Sequence, residues 1–187
     1  MKYLVVFQLI LILAGNSFAQ GNIELAIKLD EKNGFKDFQI GDSFSKWEKE
    51  LKFLSKNNDL VNYTYVGNCC TTIFNVDIEF INLGFKNGEL AVIYFETKTI
   101  PVTTKTIWES TDYHSIKRNF DLTFEVTSPN FPSDDNSGST ISQWIGRKLF
   151  LTLTYHYKGI KNIEGSSLAT GNCSIMLGLI PDSMHDF

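Results

Sequence analysis

The sequence predicts an α+β domain: an antiparallel sheet with helices packed on one face, built as two tandem helix-plus-three-strand repeats. Three observations carry that prediction. Two segments place apolar residues at helical spacing, several others alternate apolar and polar residues, and the two helical segments match at a constant offset. A helix with one oily stripe and a sheet with one oily face bury both patterns when laid together.

The first 19 residues are expected to be a cleavable secretory leader. Lys2 supplies the positive start, residues 3–13 are apolar apart from Gln8, and Ser17-Phe18-Ala19 places small residues where a signal peptidase reads them. The apolar stretch is short of the ~20 residues that cross a bilayer, and no basic stop-transfer cluster follows. Leu13-Ala14-Gly15 resembles the start of a lipobox, but Asn16 stands where the acylated cysteine would be. The mature chain is therefore expected to begin at Gln20 and to be secreted or periplasmic, with no stable membrane insertion. Residues 20–187 read as a single domain, with half-repeats at 35–100 and 101–180.

Residues 23–29 suggest a short strand or helix, and Asn33-Gly34 a turn. Phe38-Gln39-Ile40-Gly41-Asp42-Ser43 reads as a short strand, a glycine turn and an Asp/Ser helix cap. Phe44, Trp47, Leu51 and Leu54 then recur at helical spacing, with Lys46, Glu48, Lys49, Glu50 and Lys52 mostly on the remaining faces. Val61, Tyr63 and Tyr65 alternate with polar residues as a strand does. A second strand starts near Ile73 and changes phase at Phe80-Ile81, which implies a bulge. Asn87-Gly88 is a strong hairpin signal, because both central residues of a type I′ turn need positive φ; residues 90–97 form the returning strand.

The second half repeats the scheme. Thr111-Asp112 caps a helix whose apolar residues Tyr113, Ile116 and Phe120 each lie 69 positions after Phe44, Trp47 and Leu51. Leu122, Phe124 and Val126 alternate as a strand, Ser128-Pro129 breaks it, and residues 132–139 read as a polar loop. Residues 141–145 and 149–157 flank Gly146-Arg147-Lys148 as a long hairpin, and Ile175, Leu177 and Leu179 mark a last strand.

Loss of Lys2 with the leader leaves 168 residues carrying 16 basic and 21 acidic side chains, a net charge of −5. That length supports a core without a disulfide framework, and that charge argues against a nucleic-acid partner. Cys69, Cys70 and Cys173 are the disulfide candidates. A bridge from Cys69 or Cys70 to Cys173 is favoured over a bond within the adjacent pair, which would close a small strained ring; three reduced, buried thiols are the other reading.

In its Phe38-Gln39-Ile40-Gly41 entry, followed by a capped helix and a sheet, the chain resembles small exported bacterial domains of the β-lactamase-inhibitor-like type. In the short glycine-turn-helix entry it is also similar to outer-membrane assembly lipoproteins of the same broad fold, and Trp144-Ile145-Gly146-Arg147-Lys148 before a Leu/Tyr strand resembles uncharacterised secreted relatives. The resemblance extends over residues 35–180. It implies pairs of helix-plus-strand repeats and binding of a protein rather than catalysis, although the absent lipobox cysteine departs from the lipoproteins.

Catalytic and metal templates are poorly matched. His114, His156 and His185 are scattered and none stands at ligand spacing from a cysteine, so neither a metal nor another cofactor is expected. Asp134, Asn136 and Gly138 begin like a calcium loop, but no closing bidentate acid follows. Asn62-Tyr63-Thr64 and Asn172-Cys173-Ser174 have the glycosylation form, relevant only in a eukaryotic source. A thiol-dependent enzyme would use Cys173 as nucleophile and His156 as base. The stronger signal is aromatic: Phe, Trp and Tyr make up 13% of the chain, and Tyr63, Tyr65, Trp144, Tyr155 and Tyr157 fall on strands. Large rigid rings with polar tips suit a contact surface, so the sequence favours an exported binding module of the bacterial envelope, inhibitor-like or assembly-like, that uses an aromatic sheet face against an unidentified protein partner. The competing reading is that these rings are ordinary core.

Overall fold

The computed structural model describes residues 30–103, 111–120, 126–130, 137–159 and 168–180. The expected leader, residues 23–29, Leu122, Phe124, Asp134, Asn136 and His185 lie outside the described residues. In chain order the elements are β1 (Gly34–Phe35), β2 (Phe38–Gln39), α1 (Phe44–Trp47) with a 3-10 turn at Glu48–Glu50, β3 (Leu51–Asn57), β4 (Leu60–Tyr65), β5 (Thr72–Ile73), β6 (Val76–Lys86), β7 (Glu89–Thr97) and β8 (Ile100–Thr103). They continue with α2 (Thr111–Phe120), β9 (Val126–Asn130), β10 (Ser137–Ile145), β11 (Leu149–Gly159) and β12 (Leu168–Leu179).

The strand pairs are antiparallel, so short turns connect many of them. Asn87 and Gly88 take φ of 54° and 82°, as a type I′ turn requires, and join β6 to β7 through the pair Lys86↔Glu89. The expected bulge in β6 lies between Ile78 and Phe80. A ten-stranded sheet runs β3-β4-β6-β7-β12-β11-β10-β9, with β5 attached to β6 and β8 to β12. The β1-β2 hairpin stands apart as a two-stranded sheet.

Three local expectations are corrected. The first helix stops at Trp47; Leu51 and Leu54 belong to β3, where Leu51 pairs with Tyr65 and Phe53 with Tyr63. Leu51 and Phe53 also fit the period of a strand across Lys52, a register shift at Leu54 follows, and the edge of β4 supplies backbone partners in place of those within a continued helix. A strand therefore stands where the sequence suggested the end of a helix. Ser43 occupies the cap position without a side-chain cap bond, and the Asp42 carboxylate instead accepts from Gln39 N–H (3.0 Å), Lys46 Nζ (2.9 and 3.0 Å) and Trp47 Nε1 (3.2 Å). Ser128-Pro129 does not break the chain: both lie in β9, at the sheet edge, where a residue without an N–H is tolerated.

Residues directly opposite one another on neighbouring strands share a face, so the register defines the core. Tyr63, Leu83, Ile93, Leu177, Leu151 and Trp144 form one continuous row across six strands. Ile81, Phe95, Ile175, Leu153 and Ser142 form the next. Apart from half-buried Tyr63, these residues are buried. Several rings pack on them: Phe35 and Phe38 contact Phe95 at 5.2 and 6.3 Å, and Phe44 of α1 contacts Phe85 at 5.3 Å. Tyr113 of α2 lies 6.0 Å from Tyr155, and its hydroxyl bonds that of Ser142. Each fully buried Leu, Ile or Phe contributes roughly 1.5–3 kcal/mol relative to exposure, so these rows dominate the hydrophobic stabilisation.

Candidate functional site

The opposite sheet face carries a different set of side chains. One row runs Thr64, Asn82, Tyr94, Met176, Thr152 and Gln143. The adjacent row runs Phe80, Glu96, Ser174, Thr154 and Ile141. Ser174 and Thr154 at its centre are buried; Phe80, Tyr94, Glu96, Met176, Thr152 and Ile141 are half-buried, and Gln143 is exposed. Ile145, farther along β10, is 63% exposed.

Hydrogen bonds fix the centre of this face. The Tyr94 hydroxyl donates to Glu96 Oε2 at 2.9 Å, and Asn172 Nδ2 donates to Glu96 Oε1 at 2.8 Å. His156 Nε2 meets Ser174 Oγ at 3.1 Å, one strand away. The rings of Phe80 and Tyr94 stack at 5.9 Å. Burial, the hydrogen bond to Glu96 and the charge of that carboxylate push the Tyr94 phenol up to about 12, so it remains a donor at neutral pH. The result is an aromatic pair beside a carboxylate whose two oxygens are already oriented.

The aromatic set expected to form a contact surface is mostly core. Tyr65, Trp144, Tyr155 and Tyr157 are buried, and half-buried Tyr63 packs between Phe44 and Phe85 at 5.1 and 5.9 Å. Their shared period placed them on the apolar rows, and nothing in the alternation alone distinguished a covered face from an open one. Phe80 and Tyr94 were missed because each adjoins apolar residues of the inner face in sequence, Ile81 for the first and Ile93 and Phe95 for the second; the phase change at the β6 bulge was the available signal.

The Cys173 and His156 dyad is also corrected. Cys173 pairs with Tyr155 and is fully buried on the inner face, whereas His156 pairs with Asn172 on the other. Adjacent strand positions point to opposite sides, so the sheet itself separates thiol and imidazole. Beside the Ser174 and His156 contact, the two oxygens of the Glu96 carboxylate accept from Tyr94 and Asn172. Asn62 and Asn172 lie within strands, and the Asn172 amide is engaged by Glu96.

The chain matches no protein-family model, no curated protein and no solved structure.

A second group of chemical side chains lies elsewhere. Cys69 and Cys70 are bonded to each other and Cys173 lies outside the bridge, contrary to the favoured pairing. Cys173 is fully buried beside its cross-strand partner Tyr155, whereas Cys69 and Cys70 are half-buried in the loop after β4. The Tyr65 hydroxyl donates to Cys69 Sγ at 3.2 Å. Burial, then the hydrogen bond and charge of Glu50, raise the Tyr65 phenol above its ordinary value. The Asp37 carboxylate, from the β1-β2 turn, comes within 4.8 Å of both sulfurs, making these three the metal-capable cluster among the described residues. Sequence spacing gave no hint of it, because β1-β2 folds back from a distant segment. A cleft of about 500 Å³ adjoins this corner, lined by Lys32, Phe35, Lys36, Ile73, Phe74 and Asn75 among others.

Proposed function

We propose that the chain is an exported, non-catalytic binding module of the bacterial envelope, inhibitor-like or assembly-like, that holds a protein partner against the sheet face bearing Phe80, Tyr94 and Glu96. The observation that carries this reading is the stacked Phe80-Tyr94 pair beside a Glu96 carboxylate held at both oxygens. Rigid rings lose little entropy on contact, and an oriented carboxylate needs no reorganisation to accept from a partner's donor. The partner is a protein rather than nucleic acid, in keeping with a net charge of −4 for the whole chain. Among the described residues no helix is long and apolar enough to cross a membrane.

The same reading takes the chain as two tandem halves with their helices on the inner side of the sheet. Its support is the mirrored strand order, β3-β4-β6-β7 against β12-β11-β10-β9, with α1 preceding the first set in sequence and α2 the second. The contacts of Phe44 with Phe85 and of Tyr113 with Tyr155 add to it. Along the main path of the sheet each half then contributes four strands rather than three, the fourth of the first half being β3 in place of the end of its helix.

Crosslinked capture from the envelope fraction tests the binding face. Thr152→Arg places a long charged side chain in the middle of the outer face, and Phe80→Ser with Tyr94→Ser removes the aromatic pair. Both are expected to reduce recovery of the crosslinked partner at least about tenfold while the thermal midpoint of the Thr152→Arg protein stays close to wild type. Equal recovery by wild type and both variants would remove this face as the contact surface.

A further inference from the structure

Apart from the sheet face, the corner where the β1-β2 turn meets the loop after β4 combines two sulfurs, a carboxylate and a phenol. Cys69 and Cys70 are half-buried, Asp37 is exposed, and their ligating atoms all lie within 4.8 Å of one another. Tyr65 Oη, 3.2 Å from Cys69 Sγ, supplies a hydrogen-bond donor to the same sulfur. In the bridged form the sulfurs are bound to each other and offer no thiolate. Opened, they become two soft anionic donors beside one hard one.

We propose that Cys69, Cys70 and Asp37 form a redox-gated site for a zinc-like divalent cation, closed as the disulfide and available as the dithiol. Donor atoms around a tetrahedral zinc ion at about 2.0–2.3 Å lie roughly 3.5 Å apart, so the two sulfurs move apart once their bond is reduced, while the Asp37 carboxylate, already within 4.8 Å of both, stays in reach. Two thiolates and a carboxylate select a borderline cation such as Zn²⁺ over Mg²⁺ or Ca²⁺, which prefer oxygen alone. Three protein donors leave a fourth position for water or a ligand from the adjoining cleft. Lys36 and Thr72, which line that cleft, each lie within two residues of a donor.

The gate is chemically accessible. The bridge joins chain neighbours, so it closes a small ring in which one peptide bond links the two cysteines, and Cys70 has a φ of 67°. Constrained, partly exposed bridges are among the more readily reduced. A dithiol reductant supplies two electrons and two protons: the S–S bond breaks, two S–H bonds form, and the reductant closes its own disulfide. Binding of the cation then releases both thiol protons to solvent.

The test uses the full chain and a Cys173→Ser version of it, so that the third thiol is not counted. Each is reduced anaerobically with a phosphine, in which water supplies the oxygen that ends on phosphorus and the protons that end on sulfur. Cobalt(II) is then titrated as a spectroscopic probe, with Zn²⁺ as competitor. The expected result is one cobalt per reduced chain with a thiolate-to-metal charge-transfer band, no such band for the bridged chain, and displacement by zinc. Asp37→Asn, an exposed change whose fold is checked by circular dichroism, is expected to weaken binding by at least about 10-fold. Equal binding by bridged and reduced chains, no binding by the reduced chain, or unchanged affinity in Asp37→Asn would each overturn the proposal.

Discussion

Asp42 shows how one side chain organises a corner of the molecule. Its sequence position suggested a helix cap, yet its carboxylate joins the β2 backbone, the Lys46 ammonium and the Trp47 indole. Burial raises its affinity for a proton, but the hydrogen bonds from Gln39, Lys46 and Trp47 and the charge of Lys46 outweigh it and hold the carboxyl below the ordinary range. A depressed folded-state value contributes stability that is present above the unfolded value, near pH 4, and disappears as pH falls through the folded value. Asp42→Asn is therefore expected to lower stability by about 1 kcal/mol at pH 7, with the difference from wild type vanishing in acid. Denaturant unfolding across that pH range measures it, and a difference independent of pH would contradict the assigned role. Trp47 is a further residue-scale lesson: its place on the apolar stripe was legible, whereas its bond to Asp42 was not.

At the scale of elements, turns and pairing explain which expectations held. Asn87-Gly88 specified its hairpin locally, because few residues adopt positive φ at both positions without strain. The β10-β11 hairpin was equally visible in its alternation, but its turn has a partner that no local rule supplies. The Asp30 carboxylate accepts from the backbone N–H groups of Arg147, Lys148 and Leu149 at 2.9, 3.0 and 3.0 Å. Asp30→Ala leaves those three donors to water, and a loss of about 1–2 kcal/mol is expected, with faster amide exchange confined to that turn. Exchange rates unchanged at Arg147, Lys148 and Leu149 would show that the carboxylate contributes little. The first helix was misread beyond Trp47 because Leu51 and Leu54 fit the helical spacing while Leu51 and Phe53 fit that of a strand; β4 decided between them by offering a paired edge.

At the scale of the molecule, the described part of the sheet separates a fully packed face from a less buried one. Leu153 and Thr152 are chain neighbours on β11, but Leu153 is fully buried between Ile175 and Ser142, while Thr152 lies between Met176 and Gln143. Leu153→Ala is expected to cost about 2–5 kcal/mol and Thr152→Ser no more than about 0.5 kcal/mol, as read from denaturant midpoints at constant m-value. Similar losses at both positions would mean that the two faces are packed alike. The sequence by itself determined the antiparallel, sheet-rich character, the Asn87-Gly88 hairpin and most strand cores, since these rest on side-chain period and turn chemistry over a few residues. Only the tertiary structure decided that Tyr65, Trp144, Tyr155 and Tyr157 are interior, that Cys173 and His156 stand on opposite sides, and that Asp37 joins Cys69 and Cys70. Period-two alternation sorts residues into two sets without naming the buried one, and contacts between distant segments exist only once strand order brings them together.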